Sequence, residues 1–202
     1  MSKAAEAQPA SPREHLLDAA ERHFATRGYA AVTLKDIAQD LGIRQPSIYY
    51  HVPGGKEDLY VEVMIRHLER HRAGVEAAIA EGGGSLERQL HGIGIWMLHK
   101  PPVDVGRMAH ADLPALPPDY VKLLESAFQR CVFHPLEVIF QEADEQGMLR
   151  FRDPRMLTRI FFSNMVTLAS TRKYWAQHST EQHMLSSSLD ILLNGMLRKG
   201  SE

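Results

Sequence analysis

Leu17, Ala20 and Phe24 recur three and four positions apart, so one apolar stripe runs along a helix that begins after Ser11. Ser11-Pro12-Arg13-Glu14 has the form of a capping box, with Pro12 suited to the first helical position, and Gly28 offers a left-handed stop. A second start follows at Thr33, where Asp36 complements the positive helix end; the helix runs through Ile37, Ala38 and Leu41 and ends at Gly42. A third short helix begins near Arg44, tolerates Pro46 in its first turn and must stop before Pro53. The interior of these three helices is expected to hold Leu17, Ala20, Phe24, Val32, Ile37, Ala38, Leu41, Ile43 and Ile48.

The pattern then lengthens. An amphipathic helix is expected over residues 57–80, broken by the GGGS at 82–85, and a fifth over 86–99, stopped by Pro101-Pro102. The proline-rich stretch 103–118 has room for one short helix at 104–110. Further helices are expected over 119–146, kinked at Pro135, over 153–177 and over 180–199. No alternating run reaches strand length. The fold class expected is all-α, about nine helices without an internal repeat. A flexible tail (1–10) precedes a three-helix domain with a helix-turn-helix (11–56) and a larger helical domain (57–202).

Composition narrows the class of protein. Of 202 residues 44% are hydrophobic, enough for a sizeable core, and the single cysteine excludes an intramolecular disulfide. The N-terminus lacks the apolar run of a secretory signal and no stretch is apolar enough to span a membrane, so a cytoplasmic setting is expected. The net charge of −2 is uninformative, but its distribution is not: no acid occurs between Leu41 and Lys56, while the rest of the chain mixes its charges. Hydroxyls, a basic ring and an ammonium in an acid-free window suit a phosphate backbone, which an acid would repel.

Thr33-Leu-Lys-Asp-Ile-Ala38, Leu41-Gly-Ile43, Ser47-Ile-Tyr-Tyr-His51 and Lys56-Glu-Asp-Leu59 together resemble the DNA-binding segment of TetR-family transcriptional regulators, over residues 11–62. Three details depart from the family's pattern: Arg44 stands where Ser or Thr is usual, Pro46 where a small residue is usual, and the connection Val52-Pro-Gly-Gly55 is one residue longer. The resemblance implies a homodimer on a roughly palindromic duplex operator, and repression relieved by a small effector. It places Thr33, Tyr49, Tyr50 and Lys56 near the DNA backbone, with Lys35 in the same DNA-binding set. It places Arg44, Gln45, Ser47 and His51 near base edges or their flanking phosphates. Arg44 has the donors to read guanine and Gln45 the pattern to read adenine. The duller alternative is that the tyrosines are half-buried aromatics and Arg44 a solvated charge.

Other constellations are weaker. His67 and His71 share a helix face, but HLERH is not a metalloprotease motif and no nearby Cys completes a site, so neither a metal nor a cofactor is expected. Cys131 and His134 suggest a nucleophile and base, yet a lone Cys among apolar residues reads as a small hydrophobe, and no enzyme is expected. Effector contact is assigned to Trp96, Met97, Met108 and Phe128, with His99 and Arg107 at a polar end; the alternatives are plain core and wet loop surface. Dimerisation is assigned to Ile160, Leu168, Leu185, Leu189, Leu192 and Met196 on the last two helices, the alternative being burial within one chain. The function expected is a sequence-specific transcriptional regulator released from DNA by an apolar or amphipathic effector. The alternatives are an effector-independent DNA binder and, further off, a helical enzyme.

Overall fold

The computed structural model describes residues 11–100 and 104–196, and the described residues contain helices and no β-strand. The chain folds as two compact units. The first takes the chain up to Arg66 together with Gly106–Leu124; the second takes His67–Val105 and the chain from Glu125.

In the first unit α1 (Pro12–Ala31) opens with both halves of the Ser11–Glu14 capping box. The helix breaks at Gly28 (φ 77°, ψ 169°), a conformation open to glycine because it has no Cβ, and resumes for one turn to Ala31. α2 (Leu34–Asp40) is opened by a second reciprocal box between Thr33 and Asp36. The backbone N–H groups of Gly42 and Ile43 close it on the carbonyls of Gln39 and Ala38, with Gly42 at φ 66°. α3 (Gln45–His51) follows, and α4 (Gly55–Gly82) begins two residues earlier than the apolar pattern suggests.

The core of this unit contains Leu17, Ala20, Phe24, Val32, Ile37, Ala38 and Ile48, as expected. Leu41 is only half-buried and Ile43 is 40% exposed, a correction to the expected interior. The two-bond closure after α2 turns Ile43 outward at the very point where the chain changes direction. Leu59, Tyr60, Val61 and Val63 of α4 and Leu116 and Leu124 of the later segment join the same core, so the unit extends beyond 11–56. Phe24, Tyr29 and Tyr60 form an aromatic trio, with Tyr60 edge-on to both partners at 5.0 Å.

The later segment holds α6 (Val105–Arg107), a π turn (Met108–Asp112) and a 3-10 turn (Leu113–Ala115) before α7 (Pro118–Phe128). Its anchor is Asp112, which is 3% exposed. One carboxylate oxygen accepts the Tyr29 backbone N–H at 2.9 Å and the other accepts the Tyr60 hydroxyl at 3.0 Å, with Arg107 Nε 3.5 Å away.

The second unit comprises α5 (Leu86–His99) with α8 (His134–Glu145), α9 (Pro154–Ser170), α10 (Arg172–Trp175) and α11 (Glu181–Met196), and the later turns of α4. α5 packs against both α9 and α11, and α8 packs on α9. Ahead of Pro135 the helix is interrupted by a π turn (Gln129–Phe133), in which the His134 N–H reaches the Gln129 carbonyl. Pro135 has no N–H to return to the preceding turn, and widening that turn by one residue absorbs the defect.

Glycines set the closest approaches. A Cβ on Gly74 would stand 2.1 Å from the Trp96 ring, so α4 and α5 meet there without side-chain bulk. Gly74→Ala is expected to lower stability by about 1–3 kcal/mol despite alanine's better helix propensity, because a rigid ring rather than a flexible side-chain end must move. Urea unfolding, together with a changed tryptophan fluorescence of the folded state, checks this.

Candidate nucleic-acid interface

Helices α2 and α3 and the Leu41–Arg44 turn between them form a helix-turn-helix. The seven-residue α3 is held by one fully buried side chain, Ile48, while Val52 just beyond it is 3% exposed. Everything else on α3 is left for solvent or a partner: Gln45, Ser47, Tyr49 and Tyr50 are exposed and His51 is half-buried. Arg44 occupies the N-cap position in extended geometry, but its side chain makes no capping hydrogen bond. A guanidinium at the leading end of a helix anchored from behind is placed to meet a base edge or phosphate.

The adjacent tyrosines divide as a 100° rotation along a helix requires. Tyr49 is 46% exposed; Tyr50 is 86% exposed, its ring edge-on to His51 at 5.3 Å. An aromatic ring so far out of the core contributes almost nothing to burial. Thr33 and Lys35 are exposed at the start of α2. The Thr33 hydroxyl is committed to Asp36, whose carboxyl is held below its ordinary pKa first by the Thr33 backbone N–H and then by that hydroxyl.

Lys56 is less free than the sequence suggests. Its ammonium lies 4.1 Å over the Tyr29 ring, and partial burial pulls its pKa below the ordinary lysine value, opposed by Glu57 and Asp112. Burial, and after it the hydrogen bond the Tyr29 hydroxyl donates to Glu57 at 2.8 Å, pushes the Tyr29 phenol up. Tyr29 was not singled out in the sequence, and no local signal marks it; its partners lie 28 and 83 residues away.

The residues assigned to an effector fall in both units. Arg107 and Met108 belong to the first, where Arg107 is engaged by the Ala25 carbonyl and Asp112 and Met108 is 8% exposed. Trp96, Met97, His99 and Phe128 belong to the second. Met97 is buried, Phe128 stacks edge-on with Phe133 and Phe162, and the half-buried Trp96 donates its indole N–H to His71 Nδ1 at 3.3 Å. His99 is exposed, 3.3 Å from Glu181. It edges a cavity of about 310 Å³ between α5 and α11, walled by Ile95, Leu98 and Leu185.

Of the residues assigned to dimerisation, Leu168, Leu185 and Leu189 are buried within the chain, Leu192 is half-buried and Ile160 is exposed. The Met196 side chain lies outside the described residues. Met156 (57% exposed) and Ile191 (73%) also present large apolar surface on α9 and α11. His71 is engaged by Trp96 and by the Lys100 backbone, and Cys131 is fully buried, which pushes its thiol up and disfavours a nucleophilic thiolate. No described helix is long and apolar enough to cross a membrane.

The exposed recognition helix, its buried anchor and the acid-free stretch between Leu41 and Lys56 define a helix-turn-helix DNA-binding module. The profile described as "Bacterial regulatory proteins, tetR family" matches residues 16–63, and the chain carries the DNA-binding domain of that family. Over 52 residues it is 44% identical to the HTH-type transcriptional regulator LmrA of Bacillus subtilis, and over 57 residues 46% identical to the HTH-type transcriptional repressor KstR2 of Mycolicibacterium smegmatis. These matches cover 26% and 28% of this chain and only 28% and 27% of those relatives. The crystal structure of AibR in complex with isovaleryl coenzyme A and operator DNA superposes with a TM-score of 0.72 at 17% identity, covering 91% of this chain and 98% of that one. At that identity the likeness establishes the shared all-helical fold.

Proposed function

We propose that this protein is a sequence-specific transcriptional regulator, a repressor that binds a palindromic operator as a homodimer and is released by a small apolar or amphipathic effector. The observation that carries the reading is α3: Arg44, Gln45, Ser47 and Tyr50 stand exposed on a helix whose only buried residue is Ile48. A dimer through α9 and α11, whose Met156, Ile160 and Ile191 are exposed in the single chain, sets two such helices on successive major grooves about 34–36 Å apart. An effector that prefers another spacing of the two α4 helices then lowers operator affinity, and operator DNA weakens the effector by the same factor. AibR, with coenzyme A thioester and operator in one complex, is a precedent for joining the two activities on this fold.

Selection from randomised duplex DNA at moderate salt tests the reading. A palindromic motif is expected; salt-sensitive retention without any motif would favour an effector-independent architectural binder. On the recovered motif, Arg44→Ala is expected to relax the preference at one base position by about 1–3 kcal/mol, and Tyr50→Phe to weaken binding to every sequence alike. Competition titrations against single-base variants of the motif separate the two patterns. Unchanged affinity in both would remove the proposed interface.

A further inference from the structure

The break in α1 has an unusual lining. In an uninterrupted helix the Tyr29 N–H would donate to the Ala25 carbonyl. Here the Tyr29 N–H is taken by Asp112 at 2.9 Å, and the Ala25 carbonyl accepts from Arg107 Nη1 at 2.9 Å. One charged pair thus holds both ends of a single missing backbone bond. Gly28 leaves room for it: a Cβ there would stand 3.2 Å from Arg107 Cδ and 3.3 Å from Asp112 Oδ1. Both side chains come from one short stretch, Arg107 and the last residue of the π turn that follows it, so the break and that stretch are parts of one arrangement.

The arrangement reaches the DNA-facing surface in one step. The Tyr29 backbone is fixed by Asp112, its ring lies under the Lys56 ammonium at 4.1 Å, and its hydroxyl bonds Glu57 at 2.8 Å. Tyr60, one α4 turn beyond Lys56, bonds the other oxygen of the same carboxylate. Were the pair to withdraw, Ala25 and Tyr29 would be free to close their own bond, and the Tyr29 ring would turn away from the lysine it supports. Two alternative hydrogen-bonded states of one helix are the kind of discrete element through which a position change is transmitted.

We infer that Asp112 and Arg107 are positioning residues for the DNA-contacting Lys56, acting through Tyr29 and the break in α1. The inference rests on the reading of Lys56 as a DNA contact.

A double-mutant cycle on the full chain tests it, using a labelled duplex bearing the selected motif. Lys56→Ala is expected to weaken binding about tenfold. Asp112→Asn, which keeps the shape of the side chain, is expected to weaken it on the order of fivefold when Lys56 is present and less than about twofold when it is alanine. Arg107→Met, a milder change at a partly exposed site, is expected to repeat the pattern should Asp112→Asn fold poorly, as judged by far-UV circular dichroism. Equal losses on both lysine backgrounds, or no loss from either variant, would overturn the positioning role and leave the DNA reading intact. A Lys56→Ala protein that binds like the wild type would overturn the reading of Lys56 itself, and the inference with it.

Discussion

Replacing Asp112 with alanine is expected to remove about 3–5 kcal/mol of stability, a loss comparable to truncating a large core side chain. The carboxylate is 3% exposed and is the partner of both the Tyr29 N–H and the Tyr60 hydroxyl. Each of these, left buried without an acceptor, costs about 1–3 kcal/mol. Arg107 adds less, because its side chain is 31% exposed and water can take over part of its solvation. Against a typical total of about 5–15 kcal/mol, the loss leaves a unit that is folded but marginal. Urea titration of the wild type, Asp112→Ala and Asp112→Asn at neutral pH checks the order, with the asparagine variant between the other two because its single acceptor oxygen serves only one of the two donors, the Tyr29 N–H or the Tyr60 hydroxyl. A loss below about 1 kcal/mol in the alanine variant would mean that water replaces the carboxylate without penalty.

The second large effect is one of acidity. His71 is 4% exposed, and burial, with the neighbouring His67 adding to it, lowers its pKa from 6.5 to about 4; the hydrogen bond to the Lys100 backbone opposes the shift. Its Nδ1 accepts the Trp96 indole N–H, a bond that needs the neutral ring. The unfolded chain therefore binds a proton more readily than the folded one in this range. The stability due to neutral His71 is fully present above the unfolded value near 6.5 and is lost as pH falls from there toward about 4. The full span corresponds to about 3 kcal/mol. Wild type and His71→Gln, unfolded in urea at a series of pH values across this window, should converge as the pH falls. Parallel curves would show that His71 does not titrate differently in the two states. The imidazole resonances of the folded protein give an independent check, since those of His71 should not move until well below pH 6.

Local chemistry carried much of the first unit into view. Ser11 with Glu14, and Thr33 with Asp36, are capping boxes complete within four residues, and both form. Gly42, at φ 66° where α2 ends, was legible for the same reason. The division between Tyr49 and Tyr50 could be foreseen as a rotation but not as to which ring would be the outer one, since that depends on Ile48 and the core beneath it. What sequence reading missed is long-range. Tyr29 and Asp112 are 83 residues apart, and nothing near either announces the other. Ile43 looked like core because it is apolar and next to a helix, whereas the turn geometry aims it outward. The buried Leu185 and Leu189 suited either an interhelical seam within the chain or one between two chains, a choice that helical periodicity cannot make.

The first compact unit is discontinuous along the chain: it closes only when Gly106–Leu124 joins the residues before Arg66. On the ribosome, the three N-terminal helices emerge with most of their apolar core but without Leu116, Leu124 and the acceptor for Tyr29 and Tyr60. Native closure waits for a segment far downstream, and the loop that must be closed slows it. A nascent chain thus cannot complete the core of this unit until Leu124 has been made. An N-terminal fragment ending at Arg66 would for the same reason be a poor stand-in for the module, lacking the residues that finish its interior.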